Sequence, residues 1–302
     1  MDQQFLKLLM DKTGFPEEAK QEALRCQDVL VQTGQEEALD GAVECLYSHD
    51  LDLKVVEPLV KAIADESGVN VYTVWLLFLI QASQPAVNAY LEKGVPEDIV
   101  WDTFSDLKFK VLECKNVHGV WGNFVAFWYP IFFSCDLVKL GRLEYESTTY
   151  EGKEPYEKNG FVINPGDSVK SIHIPSSGEP FDEAARLDSY KRAYEFFRDE
   201  LDGRPLVCVC HSWLLYPKNR EILSPASNIV SFIGDFDLIE SGSEEVFHDA
   251  WRVFGGEYQK PTAELPEKTS MQRAFKNWLL QGKQTGYGFG VLIFDGEKIV
   301  NL

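Results

Sequence analysis

The chain has 302 residues, of which 45% are apolar and 25% charged, an ordinary globular composition. At roughly 100–200 residues per domain that length accommodates two domains. With 48 acidic against 29 basic residues, the formal net charge is −19. Its basic groupings are as short as Lys191-Arg192, so a nucleic-acid partner, itself a polyanion, is excluded by repulsion. An acidic surface suits solubility and cationic ligands, amines among them.

Six cysteines are scattered at 26, 45, 114, 135, 208 and 210, and the opening MDQQFLKLLMDK has acids on both sides of a short apolar patch. Reduced thiols and a cytoplasmic protein are the expectation. Two stretches invite a membrane reading. Val71–Ile80 is too short to span at 1.5 Å per residue, and Val120–Val138 is interrupted by Asn123, Pro130 and Asp136. Both are expected in buried core.

The first third is expected to be helical throughout. Pro16 with Glu17 and Glu18 opens a helix toward Gly34, with the acids near the positive end of the helix dipole. Leu39, Val43, Leu46 and Tyr47, then Val56, Leu59, Val60 and Ile63, recur at helical spacing. Val71–Ser83 is apolar nearly all round and predicts a central, buried helix. Pro85 and Pro96 each predict a new helix start, the second with Ile99, Phe104, Leu107 and Val111 on one face.

Alternation takes over near Leu137. In LVKLGRLEYESTTY, Leu143 and Tyr145 share one face of a strand and Arg142, Glu144 and Glu146 the other. VKSIHIP (169–175) predicts a strand and Glu183–Arg198 an amphipathic helix built on Ala184, Leu187, Tyr190 and Ala193. PLVCVCHSW (205–213) predicts a buried strand and NIVSFIGDFDLIE (228–240) a longer one. Strand, helix, strand at this spacing implies a parallel pair with a right-handed crossover. A helix over Glu244–Phe254, another over Met271–Leu280 capped by Thr269 or Ser270, and a hairpin turning at Asp295-Gly296 complete the chain. The fold class is α/β in the α+β sense: a helical domain over 1–136 and a mixed-sheet domain over 137–302.

The segments LGRLEYE (140–146), SIHIPSSGEP (171–180), CHSWLLYP (210–217), SNIVSF (227–232) and LPEKTSMQRAF (265–275) resemble a bacterial family of N-acyltransferases. That family has a helical N-terminal domain and a GNAT-like C-terminal domain. The resemblance implies transfer of an acyl group from a thioester, acyl-CoA or a carrier, to an amine. It makes SIHIP and PLVCVCHSW the two parallel strands that splay around the pantetheine, with the loop after the first cradling the pyrophosphate at a helix N-terminus. Ile174, Ser176, Ser177 and Gly178 would then contact the donor. The loop departs from the family's Q/R-x-x-G-x-G/A pattern: it has one glycine, Pro175 and Pro180 lack N–H donors, and Asp182 and Glu183 place negative charge nearby. Acyl-CoA or acetyl-CoA and a carrier-bound thioester stay open as donors. A non-catalytic binding or regulatory module with a degraded phosphate loop is the alternative.

Ligands of open α/β sheets gather at the carboxyl ends of strands. His173 and the group Cys210, His211, Ser212 and Trp213 stand near such ends. Histidine titrates near neutrality and can take a proton from an ammonium; hydrogen bonding beside the loop is its other reading. Glu144 or Glu146 could serve as the base if held in the cleft, or face solvent. Cys210 could be a nucleophile with His173 or His211 as base, or a small packing residue. Tyr216 is placed to protonate a leaving thiolate. His211, Ser212 and Trp213 would line the substrate side. Cys208 and Cys210 point opposite to His211, so no metal site is expected.

Overall fold

The computed structural model describes residues 2–302. It separates into two compact units, the first ending at Lys139 and the second running Leu140–Leu302.

The first unit is helical. Its helices are α1 (Gln3–Lys12), α2 (Glu17–Gln32), α3 (Glu36–Ser48), α4 (Leu53–Ser67), α5 (Val71–Glu92), α6 (Glu97–Phe104), α7 (Asp106–His118) and the short α8 (Pro130–Phe133). Asn70 starts α5 by accepting the Tyr72 N–H at 2.9 Å, satisfying one of the donors a helix start leaves over. This helix packs against all the others of the unit, as its apolar surface requires. Pro85 does not begin a helix, contrary to expectation; it lies inside α5. Packing on all sides holds the helix across the missing N–H, and the Tyr47 hydroxyl donates to the Ala82 carbonyl at 2.7 Å, within the turn that precedes the proline. The helix after Pro96 is broken instead, at Ser105.

The second unit is a mixed sheet with flanking helices. Its elements are β1 (Leu137–Leu140), on which the chain passes from the first unit, β2 (Leu143–Thr149), β3 (Tyr156–Lys158), β4 (Phe161–Ile163), β5 (Ser168–His173), α9 (Glu183–Phe196), α10 (Arg198–Leu201), β6 (Leu206–Ser212), α11 (Asn219–Ile222), α12 (Asn228–Ile233), β7 (Asp237–Glu244), α13 (Ala250–Phe254), α14 (Ser270–Leu280) and β8 (Thr285–Phe294). The six-stranded sheet runs β1-β2-β5-β6-β8-β7, while β3 and β4 form a separate ribbon. Only β5 and β6 are parallel in the pairs β2–β5, β5–β6, β6–β8 and β8–β7. The ribbon lays Tyr156 and Ile163 with Tyr150 over Val169, Val209, Val291 and Ile293 on one sheet face. On the other face α9 is tied to β2 through Ser189, whose hydroxyl donates to the Leu140 carbonyl at 2.5 Å and accepts the Leu143 N–H at 3.2 Å.

Several expectations need correction. Residues 228–240 are not one strand: α12 comes first, capped by Ser227 accepting the Ile229 N–H at 3.2 Å, and β7 follows. Ile229, Phe232 and Ile233 carry a helical spacing that buries one face. The expected helix from Glu244 shrinks to α13, because β7 continues through Glu244. The buried face of α9 is Arg186, Ser189, Tyr190 and Ala193 rather than a stripe through Ala184 and Leu187. Arg142 lies in the turn before β2 rather than on the strand, and both it and Glu144 on β2 are buried. The start of α14 is capped by Thr269, one of the two residues expected there, in a capping box with Gln272. Among the described residues no helix is long and apolar enough to cross a membrane.

Candidate functional site

The strands β5 and β6 lie side by side and parallel, with Lys170 opposite Cys208 and Ser171 opposite Val209. Their ladder stops there. Beyond it β5 stays paired with β2 up to His173 opposite Glu144, and β6 stays paired with β8 up to Ser212 opposite Gly288. Each strand then follows its other neighbour, and the end of the shared ladder marks where such a parallel pair separates toward its carboxyl ends, here called the wedge.

His173 and His211 stand on this wedge, each two residues past the last paired residue of its strand and on the same sheet face. The His173 Nε2 lies 2.7 Å from Glu146 Oε2 across the β2–β5 pair, with both side chains about three-quarters buried. A carboxylate so placed orients the ring and selects which nitrogen carries the proton. The pairing is diagonal, since Glu146 is opposite Ser171. Glu144 is directly opposite His173 and buried. The His211 ring is exposed and packs on Tyr287, with centroids 4.7 Å apart.

The other expected residues are more scattered. Cys210 is buried on the opposite sheet face from His173 and His211, and burial pushes its thiol well above the ordinary range. The Ser212 hydroxyl accepts the Leu214 N–H at 3.1 Å and shapes the turn after β6. Trp213 packs edge-on against Phe247 and Phe275 at 5.9 and 5.8 Å. Tyr216 is buried against β7, its hydroxyl 2.8 Å from that of Ser243.

The loop from Ile174 to Asp182 joins β5 to α9. Gly178 adopts φ +74 with open space around it, a left-handed conformation that glycine adopts freely. The Ser177 hydroxyl accepts the Glu179 N–H at 3.3 Å, and Asp182 caps α9 through the Ala185 N–H at 2.9 Å. That cap occupies one of the donors a phosphate would use at the helix start. Ser176 remains exposed toward solvent. Ile174, Ser176, Ser177 and Gly178, the residues expected at the donor, all lie on this loop.

Two arginines underlie this loop, and neither stood out in the sequence. Arg142 donates from Nη1 to the Pro175 carbonyl at 2.9 Å. Arg186, 0% exposed, donates from Nη1 to the Phe181 carbonyl at 3.0 Å and forms an ion pair with Asp235 at 2.6 Å. It also donates to the Ser231 hydroxyl at 2.8 Å, and the Tyr190 hydroxyl donates to Asp235 at 2.9 Å. The only legible signal was an arginine at a position of α9 where helical spacing brings it onto the face of Tyr190 and Ala193.

A groove of about 520 Å³ lies elsewhere, at the amino ends of β5 and β6, lined by residues that include Phe161, Lys170, Glu200 and Arg204. Its two cations are both engaged, Lys170 with Glu200 at 2.8 Å and Arg204 with the Leu201 carbonyl at 3.1 Å. Concavity alone is a weaker guide than the strand opening, which brings acid–base groups together. Among the described residues no three metal-ligating side chains cluster.

Two family models match. The N-acyltransferase N-terminal domain covers residues 4–135, and the GNAT-like C-terminal domain covers residues 137–292. No curated protein is matched by the sequence. Among solved structures the chain is similar to an acyltransferase in complex with decanoyl-CoA and teicoplanin, with 23% identity and a TM-score of 0.68. It is also similar to an acyltransferase in complex with decanoyl-CoA, at 21% and 0.69, and to an acyltransferase mutant in complex with octanoyl-CoA, at 22% and 0.67. Each likeness covers 95% of this chain and 87% of the other. At such identities the likeness speaks for the fold. More than half of the chain is matched by a single model, and the helical model precedes it: the chain belongs to the family with a GNAT-like C-terminal domain, here joined to an N-acyltransferase N-terminal domain.

Proposed function

We propose that this protein is an acyltransferase that moves an acyl group from acyl-CoA to an amine. The observation that carries the reading is the wedge between β5 and β6 with the His173–Glu146 pair beside it. The thioester supplies an activated carbonyl. His173, oriented by Glu146, takes the proton from the acceptor's ammonium, and the freed nitrogen bonds to the carbonyl carbon. The carbon–sulfur bond breaks and the electron pair leaves on sulfur as thiolate, which takes up the second proton that the nitrogen sheds as the amide forms. Backbone N–H groups of β5 left without a β6 partner are suited to steady the negative charge that develops on the carbonyl oxygen. The net charge of −19 favours a cationic acceptor.

Similarity to acyltransferases solved with decanoyl-CoA and octanoyl-CoA supports CoA over a carrier as donor. A non-catalytic module is not favoured, because a binding site alone has no use for an oriented histidine–carboxylate pair. The test is release of free thiol from acetyl-CoA and decanoyl-CoA in the presence of small amines. Thiol release that depends on the amine is expected. Absence of turnover, with no binding at millimolar donor, overturns the proposal.

A further inference from the structure

The loop after β5 lacks the repeated glycines and the free helix start that would hold a phosphate by backbone donors alone. It has instead a grip from below. The Arg142 guanidinium reaches the Pro175 carbonyl at one end of the loop, and that of Arg186 reaches the Phe181 carbonyl at the other. Both guanidinium carbons lie over the Phe181 ring, at 5.0 and 5.5 Å from its centre. Both side chains are nine-tenths buried or more, Arg142 being 8% exposed. Such cations are costly to bury without partners, and the partners they find are the loop's two ends and an aromatic between them. Arg186 is completed by Asp235 and Ser231. Arg142 keeps a buried Nε without a hydrogen-bond partner, so its guanidinium is less fully engaged than that of Arg186.

We propose that Arg142 and Arg186 form a two-point clamp that fixes the 175–181 loop in its donor-binding shape before the donor arrives. They are positioning residues: they act through the loop and touch no reacting atom. The clamp replaces conformational rigidity that a glycine-rich loop would derive from its own backbone hydrogen bonds. Affinity for the donor then depends on the clamp because an unfixed loop has to be ordered on binding. Arg142 is the better probe, since removing Arg186 also strands Asp235.

The inference rests on the donor site proposed above, and its test separates the two. CoA and decanoyl-CoA are titrated by calorimetry into the wild type, Arg142→Met and Arg142→Lys, with thermal unfolding recorded on the same samples. Loss of one charge-assisted hydrogen bond that orders the loop is expected to weaken donor binding about tenfold in Arg142→Met. Arg142→Lys, which keeps a donor but not the planar guanidinium over the Phe181 ring, should fall between. At saturating donor the turnover number should change little, so the loss appears in KM. Equal donor affinity in Arg142→Met and the wild type overturns the clamp. Hydrogen exchange of the ligand-free wild type supplies a second readout that needs no variant. The Glu179 amide, which donates to the Ser177 hydroxyl, is expected to be protected before any donor is added, and its exchange at the rate of an unstructured peptide overturns the clamp. If the wild type binds no CoA at all, the donor site fails, while loop protection still decides whether the clamp exists.

Discussion

The Nε2 of His173 and the Oε2 of Glu146 are 2.7 Å apart although the two residues are not cross-strand partners. Glu146 faces Ser171, and the contact is the diagonal one that the sheet's geometry permits to long side chains. It places an oriented imidazole where β5 separates from β6.

Removal of the imidazole should act on the chemical step. His173→Ala is expected to lower kcat by about 10²–10⁴ with donor KM nearly unchanged, the usual contribution of a positioned base. Glu146→Gln, which orients the ring but removes the charge, should cost less than His173→Ala. Initial rates at saturating acyl-CoA check both. A His173→Ala enzyme with wild-type kcat removes the proposed base.

The buried thiols should make stability fall in mild alkali. Burial pushes Cys26 and Cys114 up to about 12, and Cys208 and Cys210 higher still. A thiol whose folded value lies above its unfolded value stabilises the fold below the unfolded value, and that contribution is lost as pH rises from there through the folded value. Stability should therefore decline from about pH 8.5, the ordinary thiol value, upward. Urea midpoints measured across that window check the slope, and Cys208→Ala with Cys210→Ala should flatten it. In the native protein iodoacetamide should label the partly exposed Cys45 before either.

The Arg186–Asp235 pair should be a large stabilising element that can be removed only as a unit. Arg186→Met leaves Asp235 without its cation and is expected to cost about 3–5 kcal/mol. Adding Asp235→Asn should recover part of that loss, because the stranded charge is gone. A double-mutant cycle in urea measures the coupling, and additive effects would deny it.

Close backbone approach explains a stretch of β8. A Cβ on Gly288 would stand 2.3 Å from the Leu215 carbonyl oxygen. Gly288→Ala is expected to destabilise by at least about 1–3 kcal/mol, the range for overpacking. It should also disturb the end of β6, since Gly288 is paired with Ser212. Thermal unfolding is the check, and an unchanged midpoint would contradict the packing.

The sequence carried the order of strand, helix and strand around HIPSSGEP because each signal there is local: a period of two, a capped amphipathic helix, then an apolar run. The burial of α5 was legible for the same reason, since a segment apolar on every side has only one stable place. What escaped depends on residues distant in the chain. Pro85 inside α5 is tolerated by packing that no local rule contains. The stretch 228–240 has β-rich composition, and Ser227 capping outweighed it. The burial of Arg142 and Arg186 follows only once Pro175, Phe181 and Asp235 are brought to them. Glycines at 286, 288 and 290 alternate in a strand, which marks close approach of other backbone, and this signal was missed. Of the candidate site, the place of His173 near a strand end was legible, but its partner among the glutamates was set by register, which only pairing reveals.

The most direct measurement is backbone amide NMR during titration with decanoyl-CoA. The expected result is shifts concentrated at 171–178 and 209–213, on both sides of the wedge, with the groove lined by Phe161, Glu200 and Arg204 undisturbed. Shifts confined to that groove, at the opposite ends of the same strands, or none at saturating donor, would contradict the assignment of the acyl donor to the opening between β5 and β6.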